Sequence, residues 1–310
     1  DPLADRVVLW TRVSGLGSEG AAVGWRVARD PDLEDIVATG SARALAGSDT
    51  VATMLPGTVF TLGLQHYAPA RGMVDEGNVP QSLQKPLRAL EKRGNPWGKM
   101  ERKRADWTKA LAEGNGVKIL EKGAGAETLY FVDSISSFDD RMQEIARCTA
   151  QILDAAEMDF GILGKAEKDS GHEARRFGEE MLYQDLRDQN TEAILNSGVQ
   201  RIVTADPHAF NALKKDYSGL PPVEHISQTI VRQIRSGKLQ LKAAEESSKV
   251  YVYHDACYLG RHNNVYDAPR DAIDSIPGIN RIEMTGNCRD RSFCCGGGGL
   301  MLFYEPEEEQ

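Results

Sequence analysis

The sequence predicts an α/β protein in which a tandem, pseudo-repeated parallel-sheet domain with flanking helices follows a small, partial β-sandwich-like segment. Three observations support this prediction. Apolar runs of strand length alternate with helical patterns from about residue 127, and a spacing of 36 to 37 residues recurs in both halves of that region. The first 62 residues are instead rich in β-branched and aromatic runs bounded by turns. A length of 310 residues suggests about two domains.

The N-terminal segment, residues 1–64, has a β pattern. Residues 6–12 and 23–28 are β-branched and aromatic runs, and Asp30-Pro31 and Pro56-Gly57 are turn signals. About four short strands are expected, which are too few to close a sandwich. The segment therefore resembles part of a β domain.

Residues 65–126 are polar and rich in Pro, Gly and charge, which predicts a connector of short helices. Residues 93–98, Arg-Gly-Asn-Pro-Trp-Gly, end any helix that reaches them. The basic stretch from Lys99 to Lys109 is short and flanked by acids, which favours a solvated helix face. With a net charge of -9, the chain is not expected to bind nucleic acid. No apolar run approaches the roughly 20 residues of a membrane span, so no transmembrane segment is predicted.

Strands and helices alternate from residue 127, in a first repeat over residues 127–248 and a second over residues 249–310. This alternation predicts a parallel sheet covered by helices. The runs with strand character are Leu129–Val132, Phe160–Leu163, Arg201–Thr204 and Val250–His254. The segments with helical character are Asp140–Ala156, Glu173–Asn196, a helix from about Ala209, and Pro269–Ile276.

The five cysteines are Cys148, Cys257, Cys288, Cys294 and Cys295. An odd number with two adjacent members fits a disulfide framework poorly, and it favours metal or cluster ligation in a reducing compartment. Cys148 lies on the helix predicted at 140–156, whose apolar side includes Ile145 and Leu153. We interpret Cys148 as a small core or boundary residue.

The two halves repeat the same spacing. Asp133 is followed after 36 residues by Asp169-Ser170-Gly171, and after another 37 by Asp206. In the second half, Cys257 is followed after 37 residues by Cys294-Cys295-Gly296. Asp-Ser-Gly thus stands in the first copy where Cys-Cys-Gly stands in the second. The same spacing puts a closing Cys-x-x-Cys near position 331, after Gln310.

The second repeat resembles the cysteine-rich repeat of the heterodisulfide reductase B/D family. The matching residues are 254–261, His-Asp-Ala-Cys-Tyr-Leu-Gly-Arg, 266–270, Tyr-Asp-Ala-Pro-Arg, and 292–299, Ser-Phe-Cys-Cys-Gly-Gly-Gly-Gly. The connector also resembles that family at residues 93–98, so the resemblance covers about residues 66–310.

This resemblance implies an iron–sulfur electron-transfer oxidoreductase. A [4Fe–4S]-type cluster would be bound by Cys257, Cys294 and Cys295. Cys288, which matches no ligand position of the family, is a candidate for a fourth ligand, as is a residue outside this chain. The implied partners are an electron-transfer flavoprotein or another redox subunit, with a thiol, disulfide or quinone acceptor. The implied location is the cytoplasm or the cytoplasmic face of the membrane.

The first repeat has no cysteine at its motif positions. Carboxylates are poor ligands for an iron–sulfur cluster, which requires thiolates, so this half is interpreted as structural or as the lining of a substrate pocket. A second interpretation stays open, in which oxygen and nitrogen donors form a metal or substrate site. Its candidate residues are Asp133, Asp169, Asp206, His172 and His208.

Residues 1–12 and 25–31 resemble the N-terminal β-sandwich of the alkaline phosphatase D family. The metal and phosphate ligands of that family have no match here, so a phosphatase-related function is only a minor alternative. The other alternative is a cluster-free structural or interaction fragment. Because relatives of the phosphatase are exported, the two resemblances imply different compartments, and a joined sequence at residues 62–66 stays an open explanation.

Overall fold

The computed structural model describes residues 79–111, 117–120, 125–244 and 249–304, together with the backbone of five strands before residue 65. The chain divides into two compact units, each with its own sheets. The first comprises Asp1–Asn78 with Arg176–Gly178, and the second comprises Val79–Arg175 with Glu179–Gln310.

The first unit contains two antiparallel sheets. Its strands are β1 Val7–Arg12, β2 Ala21–Ala28, β3 Ile36–Ala44, β4 Asp49–Met54 and β5 Thr61–Leu64. One sheet has the order β1-β4-β5, and β2 pairs with β3 in the other. There is one strand more than the four expected. The side chains lie outside the described residues, so the partial β-sandwich stays a prediction.

The connector begins with α1, Gln81–Arg93, which buries Leu83, Leu87 and Leu90 on one face. It ends at Gly94, which has a φ of 61° and whose N–H donates to the Leu90 carbonyl. This left-handed C-cap is a conformation that glycine adopts without steric cost. The predicted helix stop at residues 93–98 is therefore confirmed. Residues 65–78, 112–116 and 121–124 of the connector lie outside the described residues.

The end of the connector and the first repeat together form one five-stranded sheet, which is parallel, as predicted for the repeat. Its strands are β6 Lys118–Ile119, β7 Thr128–Tyr130, β8 Phe160–Ile162, β9 Arg201–Thr204 and β10 Val223–His225. Their order is β10-β9-β7-β8-β6, and every pair is parallel. β7 is the central strand of the sheet, with β8 on one side and β9 on the other. The chain runs from β7 first to β8 and later to β9. Open α/β sheets bind ligands beyond the carboxyl end of such a strand.

Helices bury both faces of this sheet. They are α2 Asp133–Phe138, α3 Gln143–Ala155, α4 His172–Phe177, α5 Glu180–Ser197, α6 Pro207–Asn211 and α7 Ile226–Arg235. Residues 129–132 alternate between two cores, because successive side chains of a strand point to opposite faces. Leu129 and Phe131 pack with Ile194 of α5, whereas Tyr130 packs with Leu153 of α3.

Three helix predictions were wrong in detail. The single helix expected over Glu173–Asn196 is two helices, α4 and α5, separated at Gly178, which has a φ of 114°. In α3 the buried face includes Ala146, Ala150 and Leu153, whereas Ile145 is 45% exposed. Cys148 is exposed, and so is not the small core or boundary residue that was expected. Strands β6 and β10 and helices α2 and α7 were not predicted.

The second repeat contains β11 Val250–Val252, α8 Asp267–Asp274 and β12 Asn280–Ile282. β11 and β12 pair in parallel. β11 ends at Val252, two residues earlier than the end predicted at His254. The repeat packs on the first through Leu259 and Val265, which contact Phe210 of α6. None of the helices in the described part of the chain combines the length and the apolar character that a membrane span requires.

Candidate functional site

The structure brings together the three cysteines of the second repeat. Cys257 lies in the turn region after β11, and Cys294 and Cys295 lie in the loop before four glycines. Cys257 lies near enough to Cys294 and Cys295 for the two neighbouring thiols to raise its pKa. All five cysteines of the chain are free thiols, and the adjacent pair is exposed.

Cys257 and Cys294 have opposite pKa shifts. The neighbouring Cys257 is the largest cause that lowers the pKa of Cys294, which falls to about 5 with help from the Gly296 N–H, Arg261 and His208. The neighbouring Cys294, followed by burial, raises the pKa of Cys257. Of the two thiols, Cys294 therefore more readily forms the thiolate, the form that binds metals.

Backbone N–H groups support the sulfurs of the glycine-rich loop. Gly296 donates to the Cys294 sulfur at 3.4 Å, and Gly297 donates to the Cys295 sulfur at 3.5 Å. Gly296 has a φ of 77°, a conformation that residues with a Cβ rarely adopt. Thiolates with N–H donors to sulfur are the environment in which proteins bind iron–sulfur clusters. Three converging thiols therefore fit such a cluster with three ligands.

A buried ion-pair network holds the two cysteine loops together. Asp255 accepts two hydrogen bonds from Arg270 and one of 2.6 Å from the N–H of Arg289. The Ser292 hydroxyl donates to the Asp255 carbonyl at 2.9 Å. In a more exposed position, His254 Nε2 lies 2.8 Å from the Phe293 carbonyl oxygen. The residues just before Cys257 and just before Cys294 are thus fixed relative to each other.

Cys288 is positioned differently from the other three cysteines of this half. It is half-buried and precedes a short 3₁₀ turn, Arg289–Arg291. Among the described residues, no hydrogen bond joins its sulfur to Cys257, Cys294 or Cys295. In the described part of the chain, no hydrogen bond therefore supports Cys288 as a fourth ligand.

Buried carboxylates occupy the motif positions of the first repeat. Asp133 follows β7 with a φ of 61° and accepts from the Ser170 N–H at 3.0 Å. Burial raises the pKa of Asp133 and of Asp169, which accepts from the N–H of Gly171. Asp206 is instead the N-cap of α6. These bonds to the backbone support the interpretation of the first-repeat motif as structural.

Glu167 adds a further carboxylate that the sequence did not indicate. It accepts from the N–H groups of Val132 and Asp133, at 3.2 and 2.9 Å, and from Arg104 at 3.2 Å. Burial is the largest influence on its pKa, which rises to about 7 despite the guanidinium and the N–H donors. Arg104 also donates to the Gly94 carbonyl, at 2.8 Å. This pair ties the connector to the end of β7.

A histidine–glutamate cluster lies beside the cysteines. Glu173 Oε1 is 3.0 Å from His172 Nδ1 and 2.5 Å from His208 Nδ1. The two imidazoles stack with ring centroids 4.9 Å apart, and Tyr258 packs edge-on against both. Because Tyr258 adjoins Cys257, the cluster and the thiols belong to one region. Sequence analysis identified the two histidines as candidate ligands but not Glu173. The only indication of Glu173 in the sequence is its position next to His172.

Comparison with known proteins decides the family. Residues 251–310 match the cysteine-rich domain family CCG. Over 241 residues the chain is 36% identical to the probable iron-sulfur-binding oxidoreductase FadF of Bacillus subtilis, covering 76% of this chain and 34% of the relative. It is 30% identical over 224 residues to a component of the dihydromethanophenazine:CoB--CoM heterodisulfide reductase of Methanosarcina barkeri, covering 69% and 51%. The region from about residue 66 onward is heterodisulfide reductase D-like.

A further relative of the heterodisulfide reductase D-like region is the EtfAB:quinone oxidoreductase of Syntrophomonas wolfei, 35% identical over 237 residues, which cover 75% of this chain and 32% of the relative. The chain therefore spans about a third to a half of the length of these relatives. Residues 1–57 match the N-terminal domain of PhoD-like phosphatases, as the resemblance predicted. No solved structure matches the chain.

Proposed function

We propose that this chain is an iron–sulfur electron-transfer subunit related to heterodisulfide reductase. Cys257, Cys294 and Cys295 would bind a [4Fe–4S]-type cluster, which supplies one-electron chemistry when bound. The observation that carries this proposal is the proximity of Cys257 to Cys294 and Cys295, which is close enough for these thiols to raise the pKa of Cys257, because it brings together residues at least 37 positions apart. A four-ligand cluster needs one more donor, and Cys288 is the candidate within this chain.

The residues around the thiols would have three roles. The N–H groups of Gly296 and Gly297 stabilise negative charge on sulfur, which favours the reduced state of a bound cluster. Asp255 and Arg270 keep the two cysteine loops at a fixed separation. The exposure of Cys294 and Cys295 leaves the sulfur atoms accessible to a redox partner or a disulfide substrate.

The electron donor and acceptor are proposed from the relatives. One relative is named an EtfAB:quinone oxidoreductase, which supports an electron-transfer flavoprotein as donor and a quinone as acceptor. Another is named as part of a heterodisulfide reductase, which supports a thiol/disulfide acceptor. The protein would work in a reducing compartment, in the cytoplasm or at the cytoplasmic face of a membrane, since its thiols must stay reduced.

The test is anaerobic reconstitution of the chain with ferrous iron and sulfide. We expect bound iron, acid-labile sulfide and an electron paramagnetic resonance signal on reduction. Cys257→Ser and Cys294→Ser should lose most of the iron, whereas Cys148→Ser, which changes an exposed thiol on α3, should retain it. Equal iron content in the wild type and in Cys257→Ser would contradict the proposal, and the absence of bound iron from both would support a cluster-free scaffold.

A further inference from the structure

The strongest unassigned feature is the cluster of His172, Glu173 and His208. One potential ligand atom from each residue lies within 4.8 Å of the other two. His172 is fully buried, and the side chains of Glu173 and His208 are 22% and 26% exposed. The three come from two separate segments, α4 and α6, so the fold rather than local sequence assembles them.

We propose that His172, Glu173 and His208 form a mononuclear binding site for a divalent transition-metal ion such as Zn²⁺, separate from the three thiols. Two imidazoles and one carboxylate are a donor set that binds Zn²⁺ or Fe²⁺ and leaves a coordination position open. The absence of a thiolate from this set distinguishes it from the ligands of an iron–sulfur cluster. The site is independent of the proposed electron-transfer function.

The distances in the cluster fit a small cation. With metal–ligand bonds of 2.0 to 2.1 Å, neighbouring donors of a tetrahedral zinc site lie about 3.3 Å apart. Glu173 Oε1 lies 3.0 Å from His172 Nδ1 and 2.5 Å from His208 Nδ1. A cation between these three atoms therefore requires them to separate by less than about 1 Å.

The surrounding residues hold the donors in place. The Leu300 N–H donates to Glu173 Oε2 at 3.0 Å, which leaves Oε1 facing the two imidazoles. Asp206 accepts from the His208 N–H at 2.7 Å and so fixes the backbone that carries the second histidine. Tyr258 packs against both rings, with centroid distances of 4.2 and 4.9 Å. Such supporting contacts orient the ligands in known metal sites.

The competing explanation is a hydrogen-bonded network in which Glu173 bridges two imidazoles without a metal. The two explanations differ in one measurable way, because only a metal site binds one equivalent of a cation through these side chains. The thiols also bind Zn²⁺, so the test removes them first. A variant with Cys257→Ser, Cys294→Ser and Cys295→Ser serves as the parent protein.

The experiment is calorimetric titration of the metal-free parent variant with Zn²⁺, with the visible spectrum of bound Co²⁺ as a second readout. We expect one equivalent of bound metal and a Co²⁺ spectrum without the charge-transfer band of a thiolate. Adding Glu173→Gln or His208→Asn should weaken Zn²⁺ binding by about 100-fold or more, since even loss of an outer-sphere partner costs 10- to 100-fold. Glu192→Gln, a charge change on the exposed face of α5, is the matched control.

Two results would overturn the proposal. One is a folded parent variant, checked by circular dichroism, that binds no stoichiometric metal. The other is an unchanged affinity when Glu173→Gln or His208→Asn is added. If the parent variant does not fold, the same titration is performed on the wild type, where Glu173→Gln must remove one equivalent of bound Zn²⁺ and retain the equivalent held by thiols. Loss of no equivalent there would equally reject the site.

Discussion

The Arg270 guanidinium donates two hydrogen bonds to the Asp255 carboxylate, each 2.7 Å long, and both side chains are buried. Arg270 also binds Glu283 with distances of 2.7 and 2.9 Å. Burial alone would raise the pKa of Asp255, but the hydrogen bonds from Arg270 and Arg289 hold it below its ordinary value. Because Asp255 lies two residues before Cys257, this pair holds the backbone next to the cysteine in place.

Replacement of Arg270 by Ala should destabilise the second repeat strongly. It would leave the carboxylate of Asp255 buried without its counter-charge, a change that costs about 3–5 kcal/mol in comparable buried pairs. We expect a lower midpoint of urea unfolding and reduced iron retention after reconstitution. The control is Arg235→Ala, which removes an exposed pair with Asp271 and should cost less than about 1 kcal/mol. Similar losses in both variants would contradict a special role for the buried pair.

Gly260 should tolerate no side chain, although its φ is not in the left-handed region. A Cβ at this position would lie 2.6 Å from a ring carbon of Tyr266, closer than real contacts allow. Gly260→Ala therefore forces the ring or the turn after Cys257 to move, at a cost of about 1–3 kcal/mol. We expect a lower melting temperature together with a lower iron content after reconstitution.

The matched control for this substitution is Gly298→Ala in the glycine-rich loop. A Cβ there meets no atom within 4 Å, and Gly298 does not have a positive φ. The control should therefore keep the melting temperature of the wild type. If Gly260→Ala also leaves stability and iron content unchanged, the close packing of Tyr266 on the turn is not important for the site.

Glu167 should make stability depend on pH. Its pKa is raised by burial from an ordinary value of 4.5 to about 7, so the folded state binds this proton more tightly than the unfolded state. The contribution is fully present below pH 4.5 and is lost as pH rises through about 7. Glu167→Gln should remove a decline on the order of 3 kcal/mol across that window.

The measurement is the free energy of unfolding by urea at a series of pH values from 4 to 8, which brackets this window. Asp133 and Asp169 also have raised pKa values, so part of the decline should remain in Glu167→Gln. Glu127→Gln is the control, because Glu127 makes an exposed pair with Arg201. A pH profile of Glu167→Gln parallel to that of the wild type would show that the Glu167 carboxyl does not titrate in this range.

Much of the fold was predictable because its signals are local. Strand β7 was predictable from the continuous apolar run at residues 129–132, because a strand buried on both faces requires that pattern. The stop at Gly94 was predictable for the same reason, since a helix C-cap depends on one residue's φ. Strand β10 was missed because Val223–His225 is only three residues long and partly polar, so its pairing with β9 rather than its composition makes it a strand.

The thiol site was predictable from spacing, whereas its neighbours were not. Cys257, Cys294 and Cys295 stand in a motif whose repeat length is visible in the sequence. Glu173 gave no comparable signal, because its partner His208 is 35 residues away and meets it only after α4 and α6 are packed. Arg270 and Glu283 were missed for the same reason.

The sequence alone determined the α/β class, the repeat and the three candidate thiolate ligands, because residue periodicity and motif spacing are properties of the chain. Only the tertiary structure decided which charges surround them. The proximity of Cys257 to Cys294, the paired hydrogen bonds from Arg270 to Asp255 and the approach of Glu173 to two histidines all join separate segments. Their energies depend on distance and burial, and these quantities exist only once the helices have packed on the sheet.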